Sequence, residues 1–268
     1  MAMSGEASDA VTRTDLRYRD GLDARVYTPT TGGSFPAVVA VHGGAWVGGN
    51  RFTHEPSVEH LAANGIAMMA IEFAMAPAAR YPEPIADIAA ALGWLRDNAE
   101  RFDIDAGRIG GFGLSSGAHQ LLLAALRPSD PRWSATPACP CAFVLIAFGV
   151  TDPLARYQMA LKRPREDLVS AHNAYWPDVD AMTEGNPQLI LERGEAECLP
   201  PLLCLQGTDD ENLTEDMAER FVTAYRKAGG DAVLEVFPGE PHAFLDRAPD
   251  SAASQSALAS AVAFVHAH

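Results

Sequence analysis

Hydrophobic and polar positions along this chain alternate between short apolar runs and longer stretches with helical spacing. Residues 13–19 and 22–28 are β-compatible and flank Asp20-Gly21, a pair suited to the positive φ values of a tight hairpin turn. The pattern then changes to buried-strand signatures. PAVVAVHGG (36–44), GIAMMAIEF (65–73) and RIGGFG (108–113) are short apolar runs next to glycines, and CAFVLIAFGV (141–150), LPPLLCLQG (199–207) and AVLEVFPG (232–239) continue the series. Helices are predicted between them. Ile85, Ile88, Leu92 and Leu95 recur at three- and four-residue steps after Pro82 and Pro84. Residues 115–126 are apolar almost all round through Leu121, Leu122, Leu123 and Leu126, as a helix in the middle of a domain would be. Met217, Phe221 and Tyr225 mark one helix face, and Leu258, Val262 and Val265 mark a last one. Strands alternating with helices imply an α/β fold: a mostly parallel central sheet covered on both faces, with an antiparallel hairpin at the start.

No repeat, low-complexity linker or charge block divides the chain, so residues 1–268 read as a single domain. The stretch from Thr151 to Pro200 breaks the rhythm. It is charged and contains proline, yet carries Tyr157, Met159, Tyr175, Trp176 and Met182. An ordinary helical excursion with its own small core and a lid or wall over a pocket are equally good readings of 151–200.

Composition narrows the chemistry. The 268 residues hold 35 acidic and 20 basic side chains, a formal charge of −15, which argues against a nucleic-acid partner because phosphate surfaces need clustered Lys and Arg. No stretch reaches the roughly 18 apolar residues of a membrane helix. MAMSGEASDAVTRTDL has neither a basic start nor an apolar core segment, so a cytoplasmic location is expected. Four cysteines make no disulfide framework, and Cys139 and Cys141 stand too close for an unstrained bridge, so four reduced thiols are expected. Without a Cys-x-x-Cys pair or a His-Glu-x-x-His helix, no metal is expected.

The sharpest motif is Gly113-Leu114-Ser115-Ser116-Gly117, which follows a predicted strand and opens a predicted helix. A G-x-S-x-G turn needs small flanking residues because the chain reverses sharply, lifting the serine hydroxyl above the sheet at a helix N-terminus whose amides favour an oxyanion. A dinucleotide loop fits badly: the glycines fall as G-x-G-x-x-x-G, and no acid at a strand end follows about 20 residues on. Ser115 needs a base, and His242 stands in the Gly/Pro-rich loop after the last predicted strand. The loop Gly207-Thr208-Asp209-Asp210-Glu211-Asn212 supplies an orienting acid, and the order Ser115, Asp210, His242 is that of a nucleophile, acid and base at three strand ends. His42-Gly43-Gly44-Ala45-Trp46 closes the first long buried strand and offers backbone amides to a substrate carbonyl. His119, four residues after Ser115, reads as a buried, hydrogen-bonded histidine rather than a second base.

Together these motifs resemble the α/β-hydrolase superfamily, and within it the carboxylesterases of the hormone-sensitive-lipase and feruloyl-esterase-like groups, with arylformamidases related. Ala76-Pro77-Ala78-Ala79-Arg80-Tyr81-Pro82-Glu83-Pro84 and Asp105-Ala106-Gly107-Arg108-Ile109 are further points of similarity, and the likeness covers roughly residues 35–130 and 200–247. The resemblance implies Ser115 as nucleophile, His242 as base and Asp210, in preference to Asp209, as acid. It also implies oxyanion amides at Gly44, Ala45 and Ser116. Lipase-like members carry a third glycine where this chain has Ala45, and usually alanine where it has Ser116.

The resulting expectation is a serine esterase acting on small-molecule carboxylic esters without a cofactor, with Trp46, Tyr157 and Phe244 lining its pocket. Phe148 is an equally good wall or core residue. Formamide hydrolysis and a catalytically idle binding scaffold are the alternatives. Dimers are common among such relatives, and no interface is marked in the sequence.

Overall fold

The computed structural model describes residues 10–133 and 139–268. Residues 1–9, the start of the stretch read against a secretion signal, lie outside them. The hairpin forms as β1 (Val11–Arg19) and β2 (Leu22–Pro29), followed by β3 (Phe35–Val41), α1 (Glu55–Ala63), β4 (Ala67–Ile71), α2 (Glu83–Asp97), β5 (Ile104–Leu114) and α3 (Ser116–Leu126). Next come β6 (Val144–Ala147), α4 (Pro153–Lys162), α5 (Glu166–Tyr175), α6 (Val179–Glu184) and α7 (Pro187–Glu192). β7 (Leu202–Asp209), α8 (Met217–Lys227), β8 (Ala232–Pro241), α9 (Phe244–Arg247) and α10 (Ala252–Ala267) complete the order.

Eight strands form one sheet in the order β1-β2-β4-β3-β5-β6-β7-β8, antiparallel in the β1–β2 and β2–β4 pairs and parallel from β4 through β8. This is the α/β-hydrolase architecture. Strand pleat explains the uninterrupted apolar runs. Val39, Val41, Met69 and Ile71 lie on the sheet face whose core also holds apolar residues of α2, α3 and α8, while Val38, Ala40, Met68 and Ala70 lie on the other face, whose core holds those of α1 and α10. All eleven residues of α3 are buried, as their unbroken apolar surface predicts. The 141–150 run yields a shorter strand than expected, because Phe148 leaves the extended region at φ 40°.

One expectation is corrected outright. Cys139 and Cys198 form a disulfide with Cα atoms 5.8 Å apart, leaving Cys141 and Cys204 as buried free thiols. The local Cys139–Cys141 spacing carries no information about this pairing. The Glu197 amide donates to the Leu126 carbonyl at 2.8 Å, tying the segment before β7 to the end of α3. Among the described residues, no helix is long and apolar enough to cross a membrane.

The loops that carry the candidate chemistry leave the C-terminal ends of the parallel strands β3, β5, β7 and β8, the edge of a parallel sheet where ligands bind. The 151–200 segment forms α4–α7 beside that edge.

Candidate active site

Ser115 sits between β5 and α3 at φ 52° and ψ −118°, a conformation that L-residues rarely adopt and one held here from several sides. Its amide donates to the Ala147 carbonyl at 3.0 Å, and its own carbonyl accepts from Val150 N–H at 3.0 Å. The turn is possible because α3 comes very close to β3. A Cβ on Gly117 would stand 2.2 Å from the Val41 carbonyl oxygen, so the position admits no side chain. Ser115 is 7% exposed.

A continuous chain of hydrogen bonds runs from this hydroxyl. His242 Nε2 lies 2.9 Å from Ser115 Oγ and His242 Nδ1 lies 2.8 Å from Asp210 Oδ2. Nδ1–H therefore donates to the carboxylate, and Nε2 accepts from the serine hydroxyl. Pairing of β7 with β8 brings the two loops together, ending on Asp209 opposite Pro241 across a register shift. The carboxylate is held further by Gln206 Nε2 on Oδ2 at 3.0 Å and by the Asn212 amide on Oδ1 at 2.9 Å. Asp209 is exposed, and its carboxylate accepts from Thr208 Oγ1 at 3.0 Å. The structure thus brings Ser115, His242 and Asp210 together and leaves Asp209 outside.

Residues 43–46 present four consecutive amides with two different fates. Gly43 N–H donates to His54 Nε2 at 3.0 Å and Trp46 N–H donates to Ser116 Oγ at 3.2 Å. The Gly44, Ala45 and Ser116 amides have no acceptor among the described residues. Gly44 is at φ 121°, and its carbonyl receives the Val47 and Gly48 amides at 3.0 Å each, closing the loop on itself. Ala45 follows at φ 53°, a left-handed position that explains the preference for glycine there among lipase-like sequences. Ser116 also departs from that pattern, and its hydroxyl has a use. It fastens the far end of the loop to the serine turn.

The aromatic residues lie beneath and beside this constellation. Trp46 is 2% exposed and stacks on Tyr175 with centroids 5.0 Å apart, and its Nε1–H donates to His119 Nδ1 at 3.2 Å. His119 Nε2–H in turn donates to the Gly185 carbonyl at 2.9 Å. His119 is thus a buried, doubly bonded neutral histidine, and burial pushes its pKa down to about 3. Phe244 is 1% exposed and packs on Phe148, whose ring is 5.1 Å from that of His242. In this conformation Trp46 and Phe244 support the site from below and offer almost no surface to a substrate. Tyr157 bonds to Asn173 Oδ1 at 3.0 Å and lines a cavity of about 250 Å³ with His172, Trp176 and Met182, to which none of Ser115, Asp210 and His242 contributes.

The segment 151–200 touches the loop after β3, helix α3 and the loop after β7. Trp46 meets Tyr175 and Trp176, His119 meets Gly185, and Arg156 Nε donates to the Asn212 carbonyl at 3.0 Å beside Asp210. The Arg156 guanidinium is buried 5.4 Å from the Trp46 ring centroid, and burial lowers its pKa to about 10 against the opposing pull of Asp210. Arg156, His54 and the Ser116 hydroxyl escaped sequence reasoning because their partners are distant in the chain.

The BD-FAE family model matches residues 24–224. Esterase LipC of Mycobacterium tuberculosis is 29% identical over 222 residues, covering 78% of this chain and 53% of that protein. Ethyl acetate hydrolase of Pseudomonas putida is 25% identical over 257 residues, covering 91% and 79% respectively. The chain spans about half the length of LipC and of LipM, another M. tuberculosis relative. Among solved structures, an esterase from Pyrobaculum calidifontis superposes with a TM-score of 0.78 at 24% identity, covering 95% of this chain and 84% of that one.

Proposed function

The chain belongs to the BD-FAE family, and from that premise we propose that it is a serine carboxylesterase acting on small-molecule esters with short acyl chains or aryl groups. The observation that carries this reading is the unbroken hydrogen-bonded chain Ser115 Oγ, His242, Asp210, with contacts of 2.9 and 2.8 Å, together with the Gly44, Ala45 and Ser116 amides, which have no acceptor among the described residues. Ser115 attacks the ester carbonyl as His242 Nε2 accepts its proton. Asp210 fixes the imidazole tautomer and stabilises the imidazolium. The amides of Gly44, Ala45 and Ser116 receive the oxyanion, a type of stabilisation worth about 10²–10³ in kcat per donor. His242 then protonates the leaving alcohol, and water attacks the acyl-enzyme by the same steps in reverse. No cofactor enters the cycle.

Helices α4–α7 form the wall of the acyl site in this reading, since they pack on Trp46, on α3 and on the Asp210 loop. The names of the relatives, an esterase and an ethyl acetate hydrolase, support ester chemistry over formamide chemistry. Side-by-side kcat/KM values for p-nitrophenyl acetate, p-nitrophenyl octanoate and N-formylkynurenine test the assignment. The short ester is expected to win. An advantage of orders of magnitude for N-formylkynurenine would replace the esterase with a formamidase.

A further inference from the structure

Gly43 begins the amide-bearing loop, and its N–H is spoken for by a side chain from outside the loop. His54 Nε2 accepts it at 3.0 Å, while His54 Nδ1 lies 2.7 Å from Asp246 Oδ2. His54 stands just before α1 and Asp246 lies in α9, which follows His242 directly. These two residues are 192 positions apart in sequence. The roles of the ring nitrogens follow from chemistry alone. An amide can only donate, so Nε2 must be unprotonated; the ring proton is then on Nδ1 and donates to the carboxylate. Asp246 fixes that tautomer much as a carboxylate orients a metal-binding histidine. His54 is 8% exposed, and Asp246 Oδ1 is buried with no partner among the described residues, so the carboxylate's bonding is directed into the ring.

The location matters as much as the bonds. Gly43 lies directly against the serine: a Cβ there would stand 3.0 Å from Ser115 Cβ, and His54 Nε2 is 3.5 Å from the same point. The loop is therefore anchored at both ends, by His54 on Gly43 and by Ser116 Oγ on Trp46. Its two free amides, Gly44 and Ala45, lie between the anchors, in a backbone with positive φ at both residues. A strained loop of this kind persists only where its surroundings over-determine it.

We propose that the Asp246–His54 pair is a positioning element for the oxyanion loop, forming a second Asp–His dyad that touches no substrate and acts through Gly43. This rests on the esterase reading for its kinetic consequence, and on geometry alone for the hydrogen bond itself.

The test uses the full chain as wild type, His54→Leu, His54→Gln and Asp246→Ala. Each is measured for kcat and KM on p-nitrophenyl acetate, the rate of Ser115 phosphonylation by a fluorophosphonate, and melting temperature. ¹⁵N-labelled protein is also examined for the through-hydrogen-bond coupling between the Gly43 amide nitrogen and His54 Nε2. The coupling is expected in the wild type. His54→Leu is expected to lose about 10- to 100-fold in kcat with KM within about twofold, since oxyanion contacts act in the transition state, and phosphonylation should slow in parallel. Glutamine can place Oε1 near the position of Nε2, so His54→Gln should recover most of that loss. A purely structural tie would lower melting temperature without this split between kcat and KM. Should His54→Leu fail to fold, Asp246→Ala carries the test, with an expected loss of about 10-fold in kcat and a weakened coupling. Wild-type kcat in His54→Leu, no advantage of His54→Gln over it, or absence of the coupling in the wild type would each overturn the inference. A wild type that hydrolyses no ester and takes no fluorophosphonate label sinks the esterase reading instead, and the coupling still decides the role of His54.

Discussion

Replacing Asp210 by asparagine changes one atom and should nearly abolish turnover. Three donors converge on the carboxylate: His242 Nδ1–H and Gln206 Nε2 at Oδ2, and the Asn212 amide at Oδ1. A carboxylate accepts from all three. A carboxamide has only one oxygen, so its NH₂ must confront at least one of these donors. If the oxygen stays with the Asn212 amide, the NH₂ faces His242 and forces Nδ1 to accept. The ring proton then moves to Nε2, and the imidazole can no longer take the proton of Ser115. If the oxygen turns to His242, the NH₂ opposes the Asn212 amide in a buried setting, at a cost of about 1–3 kcal/mol. In the first arrangement the NH₂ also meets Gln206, whose amide can turn to offer Oε1, an atom otherwise without a partner among the described residues; with that turn every donor is satisfied, and the base is disabled. The same tautomer fault in serine proteases costs about 10⁴ in kcat, or roughly 5.5 kcal/mol of barrier. Asp210→Asn is expected to lose about 10³–10⁴ in kcat on p-nitrophenyl acetate with KM little changed. Asp209→Asn, whose carboxylate is exposed and bonds to Thr208, should stay within about threefold. Equal effects of the two changes, or a larger one at Asp209, would refute the assignment of the acid.

Other expectations follow from the same geometry. Gly44→Ala would place a Cβ 1.9 Å from the Gly48 carbonyl oxygen at φ 121°, so ester turnover should fall by at least about 10² with the circular dichroism spectrum retained; near-normal kcat would mean the loop is not the oxyanion site. His119 is neutral in the fold, with burial holding its pKa at about 3, whereas an unfolded chain protonates near 6.5. Its contribution is fully present above pH 6.5 and is lost as pH falls toward 3, at about 1.4 kcal/mol per pH unit. Urea unfolding at pH 7, 6, 5 and 4 should show this, and His119→Gln should shed about one proton's worth of the slope; an unchanged slope would count against it. Removing the Cys139–Cys198 bridge by a Cys198→Ser change should cost about 2–4 kcal/mol for the 59-residue separation it spans. Equal urea midpoints with and without it would show that the bridge contributes nothing.

Much of the fold is legible in the sequence because β3, β4 and β6 are buried on both faces and α2 and α8 on one, so apolar runs and three- and four-residue spacings mark them directly. Helix α1 went unread: its core contribution is confined to Val58, Leu61 and Ala62, too few to set a period, although Pro56 in its first turn was a usable signal. Of the candidate site, Ser115, His242 and Asp210 were legible because each stands at a strand end in a loop of distinctive composition. The supporting contacts were not. His54 meets Asp246, Ser116 meets Trp46 and Arg156 meets Asn212 across 192, 70 and 56 positions, and no local pattern encodes such meetings. Trp46 and Phe244 show the complementary limit. Nearness to a catalytic loop in sequence does not fix which way a ring turns, and both turn into the core.

The most direct test of the central claim is kcat/KM for p-nitrophenyl acetate in the wild type and in Ser115→Ala, with fluorophosphonate labelling followed by intact mass. The account predicts one adduct per wild-type chain, mapped to Ser115. It also predicts no adduct and a loss of about 10⁴-fold or more in the variant, with melting temperature preserved. Turnover near the wild-type level in Ser115→Ala, or an adduct on another residue, would contradict it.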